Sequence, residues 1–109
     1  MPRAPMDPAT FEAKAGDVAE LLKTLGNQRR LMVLCKLVEH GEMNVTDLAE
    51  AVNLSQSALS QHLAVLREMA LVETRRESQT IVYSLAAGPA ASVLDVLYGA
   101  YCGGRRAGS

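Results

Sequence analysis

Residues 54–67 read LSQSALSQHLAVLR, and this stretch decides the fold. Its apolar residues recur at spacings of four and three, the period of one face of an α-helix; they are Leu59, Leu63 and Leu66. Ser55 is a good N-cap, because its hydroxyl can accept a hydrogen bond from the first turn. The stretch therefore predicts an amphipathic helix from Ser55 to about Ala70, with short hydroxyl and amide side chains on its polar face.

Three further helices are predicted before this one. Residues 11–25 carry apolar side chains at helical spacing and stop at a glycine. Residues 27–40 form the second helix, which Asn27 can cap. Residues 44–52 form a short third helix, which Asn44 can cap. The third and fourth helices are thus neighbours joined by a tight turn.

The hydrophobic period changes from helical to alternating after the fourth helix. Residues 71–75 and 80–85 are rich in β-branched side chains and predict two strands, which residues 76–79 join into a hairpin. Gly88-Pro89 opens a last helix. The chain is therefore predicted to be mainly α with a small β-hairpin. The order α-α-α-α-β-β-α is that of a winged helix-turn-helix, with the opening stretch as its recognition helix.

A length of 109 residues fits one domain. We expect residues 1–10, which contain three prolines, to be a flexible N-terminal arm. Residues 11–102 are predicted to form the winged helix-turn-helix domain for DNA binding and dimerisation, and residues 103–109 a flexible C-terminal tail. The first and last helices are amphipathic and lie outside the DNA-reading unit. We expect them to form the interface of a homodimer.

No secretion signal or membrane span is predicted. The N-terminus has no apolar run, and no window approaches the roughly 18 apolar residues of a membrane helix. We therefore expect a cytoplasmic protein that does not bind membranes. In that compartment its two cysteines are expected to be thiols rather than a permanent bridge.

The distribution of charge favours DNA as a partner. The net charge is only -1, but residues 51–67 contain none of the twelve acidic residues, so a polyanion meets no repulsion there. Gln and Ser can bond to base edges, free amides at a helix start suit a phosphate, and arginines on a hairpin suit the DNA backbone. The candidate DNA-binding residues are Ser55, Gln56, Ser57, Ser60, Gln61, His62, Arg75 and Arg76.

A simpler interpretation exists for some of these residues. A polar helix face is often only solvated, and His62 is as well explained by a hydrogen-bonded histidine beside the core as by a phosphate contact. The order of the elements and the local absence of carboxylates favour DNA binding for the face as a whole.

The sequence resembles the ArsR/SmtB family of bacterial winged-helix repressors. The resemblance covers about residues 18–101. It rests on LGNQRRL at 25–31, SQSALSQHL at 55–63 and the Arg75-Arg76 pair. It implies a homodimer that binds a palindromic operator in double-stranded DNA, blocks transcription and lets go when a small inducer binds.

The same resemblance makes metal sensing a poor prediction. Arsenic-sensing relatives have two cysteines where this chain has Asn44 and Thr46, and neither of these supplies a thiolate ligand. Zinc-sensing relatives use Asp and His along the last helix, where only Asp95 is found; the two histidines are His40 and His62. A zinc site needs three or four converging ligands. We expect no bound metal and no cofactor.

Two interpretations of Cys35 and Cys102 are open. From the residues alone, Cys35 lies in an apolar stripe, where a free cysteine is usually a small core residue, and the wide separation of the two says nothing about contact. Their placement resembles the redox- and persulfide-sensing branch of the family. That resemblance implies that reactive sulfur species or oxidants crosslink the pair, by a disulfide or a longer sulfur chain, and release the operator.

Other functions are possible. The chain could be a metal-responsive or ligand-independent repressor, or a thiol-dependent redox enzyme that uses the same cysteines. The enzyme is disfavoured because the sequence lacks a Cys-x-x-Cys motif, a thioredoxin-like βαβ pattern and a glycine-rich phosphate loop. We therefore expect a regulator without catalytic residues.

Overall fold

The computed structural model describes residues 2–102, which form five helices and three strands. In chain order these are α1 (Pro8–Leu25), α2 (Gln28–His40), β1 (Glu42–Asn44), α3 (Val45–Val52), α4 (Gln56–Glu68), β2 (Val72–Glu77), β3 (Thr80–Leu85) and α5 (Pro89–Tyr101). The prediction of a winged helix-turn-helix is confirmed, with α3 and α4 as the helix-turn-helix and β2–β3 as the wing. The tail predicted for 103–109 lies outside the described residues.

Three helices begin where the sequence places their caps. The Asn27 side chain accepts from the Arg30 amide at 3.1 Å, and the Asn44 side chain accepts from the Asp47 amide at 2.8 Å. The Ser55 hydroxyl accepts from the Ala58 amide at 3.1 Å. Each bond satisfies an amide that has no partner within its own helix, so short polar residues fix the starts of α2, α3 and α4.

The first helix begins three residues earlier than predicted. It starts at Pro8 rather than Phe11, because Asp7 caps it by accepting from the Thr10 amide at 3.0 Å and from the Thr10 hydroxyl at 2.9 Å. Proline suits the first helical position. Residues 8–10, which were predicted to belong to a flexible arm, are therefore helical.

The recognition helix ends two residues earlier than predicted, at Glu68 rather than Ala70. Ala70 has φ 59°, the left-handed conformation that closes a helix, and its amide donates to the Arg67 carbonyl at 2.9 Å. The Leu71 amide then donates to the Leu66 carbonyl at 2.9 Å. This closure turns the chain directly into the wing.

The sheet has one strand more than predicted. β1 pairs antiparallel with β3, giving the order β1-β3-β2. The predicted connection over 76–79 was too long: β2 continues to Glu77, and Ser78 with Gln79 forms the whole turn, Ser78 at φ 59°. The wing is therefore a tight hairpin, and β1 joins it to the start of α3.

The core is aliphatic and centres on α2, which packs against α3, α4, α5 and β3. Burying each large aliphatic side chain of this core contributes roughly 1.5–3 kcal/mol to the free energy of folding, so the buried leucines hold α4 firmly on the domain. The largest fully buried side chains are Leu34, Leu37, Leu48, Leu59, Leu63, Leu66, Leu94, Val33 and Val52.

The two outer helices keep apolar side chains in solvent. Exposed large apolar residues on these helices are Phe11, Val18 and Leu22 on α1 and Val93, Val96 and Tyr101 on α5. Among residues 2–102, no helix combines the length and apolar character needed to cross a membrane.

Candidate DNA-reading face and thiol cleft

The polar side chains of α4 lie opposite its buried leucines. Five of the six candidate residues at this helix are exposed, namely Ser55, Gln56, Ser57, Ser60 and Gln61. His62 is half-buried beside the leucine face, which suits either of its two interpretations. The exposed side chains are short and carry donors and acceptors without charge, which is the chemistry that reads base edges in a major groove.

Thr46 is a polar residue at this face that the sequence reasoning missed. The Gln56 side-chain amide donates to the Thr46 hydroxyl at 3.4 Å, which connects the first turn of α4 with the first turn of α3. Both residues are exposed. The tight turn between α3 and α4 indicates from sequence that the two helices are neighbours. The sequence does not give the angle between them, so it does not predict which residue of α3 lies next to Gln56.

The two candidate arginines on the wing have different surroundings. Arg75 forms a fork with Glu42 on β1: its Nε donates to one carboxylate oxygen at 3.0 Å and a terminal nitrogen to the other at 2.7 Å. Glu77 lies 3.8 Å from the same guanidinium. Arg76 is exposed and has no ion-pair partner among the described residues.

The fork shifts the protonation of both partners. Hydrogen bonding from Arg75 holds the pKa of the Glu42 carboxyl below its usual range, and the carboxylate raises the pKa of Arg75 further. Both side chains are about half exposed, so solvent screens the pair and its contribution to stability is small. Glu42 is charged at neutral pH and offsets the charge of Arg75.

The two cysteines line one cleft of about 340 Å³. Cys35 is half-buried on α2, Cys102 is exposed just past α5, and both are free thiols. α2 packs against α5, and this packing brings together two residues that are far apart in sequence. The cleft is also lined by Met32, Lys36, Glu39, Val52 and Tyr98.

The surroundings of Cys35 disfavour its thiolate. Burial raises the pKa of the Cys35 thiol, and the Cys102 sulfur raises it further through its charge and hydrogen bonding. Lys36, which also lines the cleft, donates to the Glu39 carboxylate at 3.1 Å. Cys102 is exposed, so its sulfur is the more accessible of the two to a reagent in solution.

Val52 connects this cleft with the DNA-reading unit. It is the last residue of α3, is fully buried, and is one of the residues that line the cleft. Only residues 53–55 separate it from α4, and Asn53 closes α3 with a left-handed φ of 57°. A change in the shape of the cleft therefore acts close to the turn between the two helices.

The residues considered for metal binding do not converge. The Asn44 side chain caps α3, and Asp95 lines a different cleft, next to Ser92 and Leu37. Within residues 2–102, no group of three or more His, Cys, Asp or Glu side chains is arranged to hold a metal ion.

The chain is similar in sequence to known bacterial regulators of transcription. Residues 27–74 match the model described as "Bacterial regulatory protein, arsR family". The transcriptional activator HlyU of Vibrio cholerae is 42% identical over 99 residues, which is 91% of each chain.

Two solved structures share the fold. Reduced HlyU from Vibrio cholerae has a TM-score of 0.79 at 42% identity, over 85% of this chain and 97% of that one. The transcriptional repressor BigR from Xylella fastidiosa has a TM-score of 0.81 at 42% identity, over 93% of this chain and 99% of that one. These proteins are named as regulators of transcription rather than enzymes.

Proposed function

This chain belongs to the arsR family of bacterial regulatory proteins, and we propose that it is a repressor whose hold on DNA is controlled by its two thiols. It is a DNA-binding regulator of transcription. The proposal that the thiols control DNA binding rests on one observation: Cys35 and Cys102 line a single cleft, which is also lined by the last residue of α3.

The DNA-reading part of the proposal assigns α4 to the major groove. The residues that would contact base edges are Gln56, Ser57, Ser60 and Gln61. The backbone amides at Ser55 would bind a phosphate, and His62 would contact either a phosphate or the hydrophobic core of the domain. Arg76 would contact the backbone from the wing. The carboxylate-free stretch over 51–67 and the exposure of the polar face support this arrangement.

A homodimer is part of the same proposal. A palindromic operator presents two half-sites about 34 Å apart on one face of the duplex, so two recognition helices must be held at that spacing. The apolar side chains exposed on α1 and α5 support these helices as the interface; Val96 is 69% and Phe11 61% exposed in the single chain. Covering such residues stabilises a dimer through the hydrophobic effect.

The switch would be a two-electron oxidation of the thiol pair. The Cys102 thiolate attacks an organic polysulfide, forms a mixed disulfide and displaces a thiolate. The Cys35 thiolate then attacks a sulfur of that adduct and displaces the second thiolate. The protein loses two thiol protons and two electrons, and the donor is reduced to two sulfhydryl species. A direct disulfide needs Cα atoms within about 7 Å, and a longer sulfur chain spans more.

Bridging would act on DNA binding through the elements that the cleft contacts. Cys35 belongs to α2, which packs against α3 and α4, whereas Cys102 follows α5. A link between them sets the position of the reading head relative to α5. A coupling of roughly 1–3 kcal/mol would weaken operator binding about 5- to 150-fold.

The test compares reduced and bridged protein on one operator. The operator is first selected from random duplexes by the reduced protein, and binding is then measured by gel shift with and without organic polysulfide. Wild type should lose affinity, and Cys35→Ser and Cys102→Ser should keep it. Intact-mass measurement on the same samples shows which proteins carry the bridge. Equal binding by reduced and bridged wild type would contradict the switch, and steady turnover of polysulfide would favour the enzyme.

A further inference from the structure

The fork between Arg75 and Glu42 joins two strands that are not neighbours in the sheet. On β3, Ser84 pairs with Glu42 and Val82 pairs with Arg75. Ser84 and Val82 are two residues apart, so both partners of the fork lie on one face of the sheet. At 2.7 Å it contains the shortest ion-pair distance among the described residues. The fork therefore spans the middle strand and connects β1 directly to β2.

This connection reaches the helix-turn-helix. β1 ends at Asn44, and α3 begins at the next residue. The carboxylate of Glu42 accepts from two nitrogens of Arg75, which occupies one full edge of the guanidinium and neutralises its charge. A phosphate that approaches Arg75 meets a paired group rather than a free cation. Arg76 is on the opposite face of β2, since successive side chains alternate along a strand.

We propose that Glu42 withholds Arg75 from DNA and makes it a strut between the wing and the start of α3, so that Arg76 is the wing residue that neutralises a phosphate. Glu42 is then a positioning residue for the DNA-binding surface. This proposal needs only that the fold binds DNA, and it is independent of the thiol switch. It revises the sequence-based assignment of Arg75 to the DNA contacts.

The salt dependence of DNA binding tests the proposal, because it counts neutralised phosphates. The logarithm of the binding constant falls linearly with the logarithm of the salt concentration. The magnitude of this slope increases by about 0.9 for each phosphate contact, or by about 1.8 for a contact made by both subunits of a dimer. The probe is a random-sequence duplex long enough for one dimer. Arg76→Ala should reduce the slope by about 1.8, whereas Arg75→Ala should leave it unchanged.

Glu42→Gln provides the decisive variant, because it keeps the shape of the side chain and removes the charge that holds Arg75. The freed arginine should steepen the slope, by up to about 1.8. Glu77→Gln is the matched control: it also removes one negative charge near Arg75, but Glu77 is 3.8 Å away and makes no fork. It should leave the slope close to that of wild type.

The outcomes separate the proposal from the function it serves. If Arg75→Ala lowers the slope as Arg76→Ala does, Arg75 contacts phosphate and the proposal is wrong. The same conclusion follows if Glu42→Gln and Glu77→Gln give equal slopes. Failure of the wild-type protein to bind any duplex would instead contradict DNA binding itself. Thermal unfolding of each variant identifies any loss of fold, and Glu42→Gln remains decisive if Arg75→Ala unfolds.

Discussion

Val52→Ala tests whether the thiol cleft acts on the DNA-reading helices α3 and α4, as proposed. Val52 is fully buried at the end of α3 and lines the cleft that contains Cys35 and Cys102. If a sulfur bridge repositions α4 by pressing on this side chain, removing its two methyl groups should leave space that absorbs the movement. The bridged variant should then keep more of its operator affinity than bridged wild type.

The expected magnitudes follow from burial. Truncation removes apolar volume worth about 0.8 kcal/mol per carbon and leaves a small cavity, so the free energy of unfolding should fall by roughly 1.5–3 kcal/mol. The ratio of reduced to bridged affinity should shrink about fivefold, which corresponds to about 1 kcal/mol of lost coupling. Operator binding by the reduced variant should stay close to wild type, because Val52 does not face the DNA.

A matched control separates coupling from general destabilisation. Val33 is also a fully buried valine, but it lies on α2 away from the cleft lining. Val33→Ala should destabilise the protein by a similar amount and keep the wild-type affinity ratio. Fluorescence anisotropy with a labelled operator measures the ratio, and intact mass verifies that each protein is bridged. An unchanged ratio in Val52→Ala would refute transmission through this residue.

Four further results are expected. Gln56→Ala and Ser60→Ala should lose base discrimination between operator and mutated duplexes, whereas loss of affinity for all sequences alike would show that this face does not read bases. The rate at which Cys35 closes the bridge should still increase at a pH where the rate for an ordinary thiol has levelled off, because the pKa of Cys35 is raised and only the thiolate attacks. Stopped-flow kinetics across pH tests this. Val96→Glu should convert a dimer to a monomer in sedimentation experiments, since it places a charge on an exposed apolar position of α5. Zinc or arsenite should leave operator affinity unchanged in a titration, and a clear response would return the metal-sensor interpretation.

The parts of the fold that the sequence predicts are those set by local chemistry. Asn27, Asn44 and Ser55 cap their own helices within three residues, so a short window contains the whole interaction. The leucine spacing of α4 also gives its buried face directly. The apolar pattern does not predict the start of α1, because the Asp7 cap and the first turn of the helix precede that pattern.

The parts that the sequence does not predict depend on distant residues. β1 has three residues and is a strand only because β3 pairs with it. Arg75 and Glu42 are separated by 33 positions, so the pairing of a candidate DNA-binding arginine with an internal carboxylate has no local signal. The meeting of Cys35 and Cys102 in one cleft likewise depends on the packing of α2 against α5.

The distribution of charge also bears on whether a small coupling could operate the proposed switch. The chain carries a net charge of -1, the first turns of α4 present serine and glutamine rather than charged side chains, and Arg75 is offset by Glu42. The first turns of α4 therefore add no cationic side chain to phosphate binding, and we expect their contacts with DNA to depend on the base sequence. Discrimination between sequences would then come from base contacts made by the two correctly spaced heads of the proposed dimer. A bridge that alters this spacing would weaken the base contacts of both heads at once, so a coupling of roughly 1–3 kcal/mol would lower operator affinity about 5- to 150-fold.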